Sequence, residues 1–176
     1  TGQGQPLDLN DPTPCPDPVY GQDLLNTLVA AFNRYLALPL HAAQALALWV
    51  PHAYALDVAT TNPRLAITLP QKRCGKTTLV AVLDKLVPRP LKAANISPAA
   101  VFRVIEACEP TLLLDEADTF VADNHELRGV LNNGHTRATA FVIRSVGDDH
   151  EPRCFATWCP MAIAAIGRVD GSLDRH

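Results

Sequence analysis

The sequence lacks paired cysteines, an excess of basic residues and an uninterrupted apolar run. Its five cysteines form an odd number without C-x-x-C spacing, and no secretory signal pattern opens the chain. The net charge of −3 predicts no general basic surface for nucleic acid. Polar residues interrupt the apolar stretch 24–50, which therefore does not indicate a membrane span. We expect a cytoplasmic protein without membrane contact.

A basic loop that contains glycine lies between a strand-like run, Leu65–Leu69, and a helical pattern over 77–86. The loop consists of Gln71, Lys72, Arg73, Cys74, Gly75, Lys76, Thr77 and Thr78. Backbone N–H groups that converge before a helix N-terminus bind polyphosphates, so these residues are the predicted nucleotide-binding loop. Lys76 is predicted to bridge the β- and γ-phosphates, and the Thr77 hydroxyl to join the coordination of a magnesium ion.

The start of this loop departs from the usual signature, because Pro70 stands where a glycine is expected. Proline fixes φ near −65° and has no N–H group. The phosphate donors must therefore come from residues 72–77. The alternative interpretation is a basic turn that caps an ordinary helix.

An acidic pair follows the short apolar run Thr111–Leu114, which has the composition of a strand buried on both faces. Asp115 is predicted to complete the magnesium site, and Glu116 to orient or deprotonate an attacking water. Lys76 and Glu116 are thus the predicted catalytic residues of a magnesium-dependent ATP hydrolase.

Alternating strands and helices predict a three-layer α/β fold with a parallel sheet, whose ligand lies at the carboxyl ends of the strands. A proline-rich irregular arm is expected over 1–18, a small helical element packed on the core over 19–62, and the core itself over 63–176. We expect Pro51 to kink or divide the second helix, and Trp49 and Tyr54 to be packing residues.

Two strand-like segments, 138–146 and 154–158, flank a polar turn at 147–149 and predict a β-hairpin that projects from the core. Arg144 and Arg153 are its candidate contacts to nucleic-acid phosphates. Three acidic residues in the hairpin, Asp148, Asp149 and Glu151, offset them, and the alternative is a charged turn that favours solubility.

Five segments together resemble a family of P-loop ATPase domains found in phage, plasmid and bacterial replication proteins. They are 46–50, 72–77, 95–98, 113–118 and 147–153, and the resemblance runs from about Tyr20 to the last residue. A helix, a strand and another helix separate the phosphate loop from Asp115-Glu116, which is similar to the AAA+ ATPases and their helicase relatives. Members often accompany primase-like domains. The resemblance implies an AAA+/helicase-like ATPase that serves DNA replication or mobilisation, with DNA and a primase-like domain or protein as partners.

AAA+ relatives act as homo-oligomeric rings in which an arginine of one subunit contacts the γ-phosphate held by its neighbour. By resemblance Arg175 is the candidate for this arginine finger, and Arg168 stands near the expected polar sensor position. The helical lid of AAA+ proteins does not follow within the sequence, so we expect a fragment of a longer protein.

Two other functions remain open from the sequence. A small P-loop kinase would phosphorylate a metabolite and would have less need of Glu116. A nucleotide-binding interaction module would bind ATP with little turnover.

Overall fold

The computed structural model describes residues 4–5, 7–69, 75–115 and 124–166. The helices in these ranges are α1 (Gly21–Tyr35), α2 (Ala42–Tyr54), α3 (Lys76–Leu86), α4 (Pro98–Cys108) and α5 (His125–Asn132). The strands are β1 (Leu65–Leu69), β2 (Pro90–Ala93), β3 (Thr111–Leu114), β4 (Phe141–Val146), β5 (Glu151–Ala156) and β6 (Met161–Ile166). Short 3-10 turns occupy Leu56–Val58 and Arg137–Thr139.

Four of the strands form a parallel sheet in the order β1-β6-β3-β2. The last described strand of the chain therefore lies between β1 and β3 and pairs with both. Parallel strands require crossover segments: α3 lies between β1 and β2 in sequence, and α4 between the neighbouring strands β2 and β3. The predicted α/β class with a parallel sheet is confirmed.

Helices cover both faces of the sheet. Successive residues of a strand point to opposite faces, so neighbouring residues of one strand contact different helices. On β3, Leu113 packs in the cluster that contains α1, α2 and α3, whereas Leu112 and Leu114 pack with α4 and α5. On β6, the alanines Ala162 and Ala164 face the first cluster. The sheet thus lies between two helical layers, as a three-layer fold requires.

Side-chain caps begin the helices α4 and α5. The Ser97 hydroxyl accepts a hydrogen bond from the Ala100 N–H at 3.3 Å, with Pro98 in the first helical position of α4. At α5 the Asn124 Oδ1 accepts from the Leu127 N–H at 2.9 Å. Both caps satisfy N–H groups that a helix leaves without an internal acceptor.

The structure bears on two expectations for α2. The helix is not divided at Pro51 but continues to Tyr54, and the proline, which has no N–H group, removes a single backbone hydrogen bond of the helix. Trp49 is buried and donates its Nε1–H to the Pro63 carbonyl at 2.9 Å, as expected of a packing residue. Tyr54 is 51% exposed, because it lies in the last turn, where the helix leaves the core, so its assignment as a packing residue was wrong.

The predicted hairpin is formed by β4 and β5, which pair antiparallel from Phe141–Ala156 to Val146–Glu151. Its inner face packs on α4, where the ring centroids of Phe102 and Phe155 are 4.8 Å apart. Before α1, the described part of the arm forms neither helix nor strand. None of the helices described has the length and apolarity to cross a lipid bilayer.

Candidate functional site

The helix α3 begins at a glycine with a left-handed backbone conformation. Gly75 caps the helix with φ +91°, a left-handed conformation that an L side chain rarely adopts. The first helical turn, Lys76 to Thr78, presents N–H groups without acceptors inside the helix. The aligned peptide dipoles make this end attractive to an anion. Thr77 and Thr78 are exposed.

Lys76 and Asp115 meet across the carboxyl edge of the sheet. The Lys76 Nζ lies 3.1 Å from the Asp115 Oδ1, and the two side chains are 12% and 23% exposed. One residue begins α3 and the other directly follows β3, with β6 between their strands.

The alternation of the strands explains why this pair forms. Asp115 follows Leu113 by two residues, so the alternation points it to the α3 face of the sheet. A hydrogen bond from the Asp115 N–H to the Ala93 carbonyl, at 3.0 Å, holds its backbone against β2. On the intervening strand β6, Ala162 and Ala164 face the same side of the sheet.

Sequence reasoning missed one residue next to this site. Leu36, just after α1, lies where a Cβ added to Gly75 would be 3.4 Å from its Cδ2. The end of α1 thus borders the start of α3, and no local sequence signal predicts this contact.

Several predicted site residues lie outside the described residues. They are Gln71, Lys72, Arg73 and Cys74 of the loop, Glu116 directly after Asp115, Arg168, and the candidate arginine finger Arg175. The structure therefore brings together Lys76 and Asp115, with Gly75, Thr77 and Thr78 beside Lys76. The roles of the other residues stay predictions.

The two hairpin arginines are both paired with glutamates. Arg144 Nη2 lies 3.0 Å from Glu126 Oε1, and its guanidinium lies 5.6 Å from the centre of the Phe102 ring. Arg153 Nη2 lies 3.4 Å from Glu151 Oε2. Each arginine would have to leave or share its carboxylate to contact a phosphate, so the proposed nucleic-acid contact stays a prediction.

A cavity of about 510 Å³ opens at the opposite edge of the sheet. Its walls include Thr111 at the start of β3, Pro160 just before β6, and Trp158. These residues mark the amino ends of the strands, whereas Lys76 and Asp115 lie at the carboxyl ends. The cavity is therefore not the predicted phosphate site.

The oxygen donors at the carboxyl edge suit magnesium. Mg²⁺ prefers oxygen ligands and is commonly held by one or two protein groups together with substrate phosphates and water. The Asp115 carboxylate and the Thr77 hydroxyl are donors of this kind and fit a metal that arrives with a nucleotide. Within the ranges that the structure describes, no cluster of three or more His, Cys, Asp or Glu side chains could hold a metal by itself.

Neither the protein-family models nor the curated proteins contain a match to this chain.

Proposed function

We propose that the chain is a magnesium-dependent ATPase domain of AAA+/helicase-like P-loop type, which serves DNA replication or mobilisation of a phage- or plasmid-type element. The observation that carries the proposal is the Lys76–Asp115 pair at the carboxyl edge of a parallel sheet. A cation at a helix N-terminus opposite a carboxylate at a strand end is the arrangement that a metal–polyphosphate complex requires.

The proposal gives a defined role to each of the main site residues. The N–H groups at the start of α3 and Lys76 Nζ bind the phosphates, while Thr77 and Asp115 hold the magnesium ion. Bound magnesium neutralises charge that builds up on the phosphate oxygens. Glu116 orients or deprotonates the attacking water, and Arg175 of a neighbouring subunit stabilises the transferring phosphoryl group.

Nucleotide binding is tested first with Lys76→Ala. We expect the affinity for Mg·ATP to fall at least about tenfold, because charge-assisted hydrogen bonds to phosphate are lost. Lys85→Ala is the matched control, since this lysine is 82% exposed near the other end of α3. Calorimetry measures both affinities. Absence of nucleotide binding by the unmodified protein would overturn the proposal.

Hydrolysis is tested with Glu116→Gln. The variant is expected to retain nucleotide affinity and to lose about 10²-fold in turnover, the usual contribution of a general base. An unchanged rate would contradict the role of Glu116. Phosphate release without any acceptor separates an ATPase from a metabolite kinase, and binding without turnover would favour the interaction module.

The DNA and ring parts of the proposal need separate measurements. We expect single-stranded DNA to raise the specific ATPase rate, and the rate to increase with protein concentration as subunits supply Arg175 to one another. Light scattering with ATP measures the assembly. A specific rate that depends on neither DNA nor concentration would argue against a ring helicase.

A further inference from the structure

We infer that the cavity at the amino edge of the sheet is a second binding site, whose ligand is a small basic amino acid of the lysine type. The inference goes beyond the proposed function, because this cavity lies at the opposite edge from Lys76 and Asp115. Its volume of about 510 Å³ is typical of sites that bind small molecules.

Part of the cavity lining is apolar and buried. Ala53 of α2, Leu56 of the first 3-10 turn and Ile105 of α4 contribute to it. Two aromatic side chains, Tyr54 and Trp158, also line the cavity. Methylene groups of a ligand would leave water on binding there, and aromatic rings attract cations. The lining therefore suits a ligand with an aliphatic chain and a cationic group.

The charged groups around the cavity have an excess of negative charge. Four carboxylates and two guanidinium groups line it, from Asp11, Asp57, Glu106, Glu109, Arg89 and Arg137. Arg89 forms ion pairs with Glu109 at 3.1 Å and with Asp11 at 3.6 Å. Within the ranges that the structure describes, the carboxylates of Asp57 and Glu106 have no cationic partner. Two carboxylates are thus available to ammonium groups of a ligand.

The cavity residues also include donors that lack an acceptor. Trp158 Nε1 and Arg89 Nε are buried and have no hydrogen-bond partner in the described part of the chain. Arg137 donates one guanidinium N–H to the Asp57 carbonyl oxygen and has further N–H groups. An unsatisfied buried donor is unfavourable, so a ligand oxygen that accepts from these groups would stabilise the complex.

A basic amino acid combines the groups that complement this lining. The two ammonium groups of lysine can pair with Asp57 and Glu106, while its carboxylate can accept hydrogen bonds from Arg137 and Trp158. Its methylene chain can lie along the apolar residues. A simple anion would instead be repelled by the excess of carboxylates, and an apolar molecule would leave the charged groups without partners.

The experiment compares three probes by calorimetry, in the absence of nucleotide. L-lysine is the expected ligand, L-norleucine lacks its side-chain ammonium group, and cadaverine lacks its carboxylate. We expect lysine to bind, and each of the other two to bind at least about tenfold more weakly, because hydrogen bonds to a charged group are lost. Absence of lysine binding would overturn the inference, and so would equal affinity for either of the other probes.

A variant locates the binding in this cavity. Glu106→Gln should weaken lysine binding at least about threefold, a modest effect because Glu106 is exposed and its charge is screened by water. Glu151→Gln is the matched control, since this exposed glutamate lies in the hairpin, outside the cavity. It should leave the affinity unchanged. Melting curves verify folding, and a folded Glu106→Gln with unchanged affinity would contradict the inference.

These outcomes are independent of the proposed function. The probe series uses the unmodified protein, so it decides the inference even if Glu106→Gln does not fold. Failure of lysine to bind leaves nucleotide binding at Lys76 and Asp115 intact. Failure of nucleotide to bind likewise leaves the amino-edge cavity and its ligand intact.

Discussion

Arg64, the residue before β1, is a largely buried cation with incomplete compensation. Its Nη1 donates to the Met161 sulfur at 2.8 Å, while Nε and Nη2 find no hydrogen-bond acceptor within the described part of the chain. Burial lowers the pKa of the guanidinium, which the nearby Cys159 partly offsets. A buried charge without a carboxylate partner is unfavourable, so Arg64 is expected to reduce the stability of the fold.

Arg64→Met tests this cost. The variant replaces the cation by an apolar side chain of similar length, and we expect it to stabilise the protein by about 1 kcal/mol, as seen when buried charges are replaced by well-packed apolar groups. Urea unfolding measures the change. The control is Arg103→Met on the exposed side of α4, which should lie within about 0.5 kcal/mol of the unmodified protein. If Arg64→Met instead destabilises the protein, the charge of Arg64 is compensated in the folded state.

At the level of elements, the segment after α5 is fixed to the segment before β1 by close backbone contact. The buried Asn62 donates its backbone N–H to the His135 carbonyl at 2.8 Å and its side-chain amide to the Gly134 carbonyl at 3.4 Å. A Cβ on Gly134 would overlap the Thr157 carbonyl oxygen and would lie 2.6 Å from Arg64 Nη2. Glycine is therefore required here by lack of space.

Gly134→Ala should destabilise the protein by about 2 kcal/mol, because a backbone carbonyl cannot move aside as a side-chain end can. Gly129→Ala is a matched control within α5, where an added Cβ meets no atom within 4 Å. That change should be neutral or stabilise the protein by up to about 1 kcal/mol, since alanine favours helix. Thermal unfolding compares the two, and equal effects would contradict the close packing at Gly134.

Local signals explain which elements could be predicted from sequence. The bounds of β1 and β3 agree with their apolar runs, and the caps Ser97 and Asn124 form as their side-chain chemistry predicts. Contacts between distant segments carry no such signal. The Asn62–Gly134 contact joins two residues that lie, in sequence, before and after the segments of the candidate site. No local sequence pattern around either residue predicts the other.

The candidate site was predictable to a similar extent. The loop motif and the acidic pair predicted Lys76 and Asp115 as neighbours of one ligand, but not their direct contact. That contact depends on how the fold brings the end of β3 near the start of α3, which is a property of the tertiary structure.

At the scale of the whole molecule, β6 joins the two halves of the sheet. All five residues of β1 pair with β6, and β3 pairs with β6 from Leu112 to Leu114. Among the described strands, β6 is the one that connects β1 to the rest of the sheet. The integrity of the core therefore depends on a strand far from β1 in sequence.

Removal of residues 161–176 is expected to abolish cooperative unfolding, because β1 loses its partner and both helical layers lose the buried residues of β6. Removal of 1–18 is the control. The described residues of this arm are mostly exposed, and the ion pair between Asp11 and Arg89 is 3.6 Å long with an aspartate 79% exposed. Its loss should change the melting temperature by no more than a few degrees. A sharp transition in the first truncation would contradict the role of β6.

The position of β6 also affects folding during translation, because β1 is synthesised long before the strand with which it pairs. Leu65 and Ile67 leave the ribosome long before Ala162 and Ala164, the residues beside which they finally lie. Until β6 has been synthesised, the apolar strand β1 has no partner strand. Chaperones bind such unpaired apolar edges, and aggregation begins at them. Slow translation between β3 and the hairpin would prolong that interval. The yield of native protein in cells should therefore depend on how quickly β6 is synthesised and leaves the ribosome.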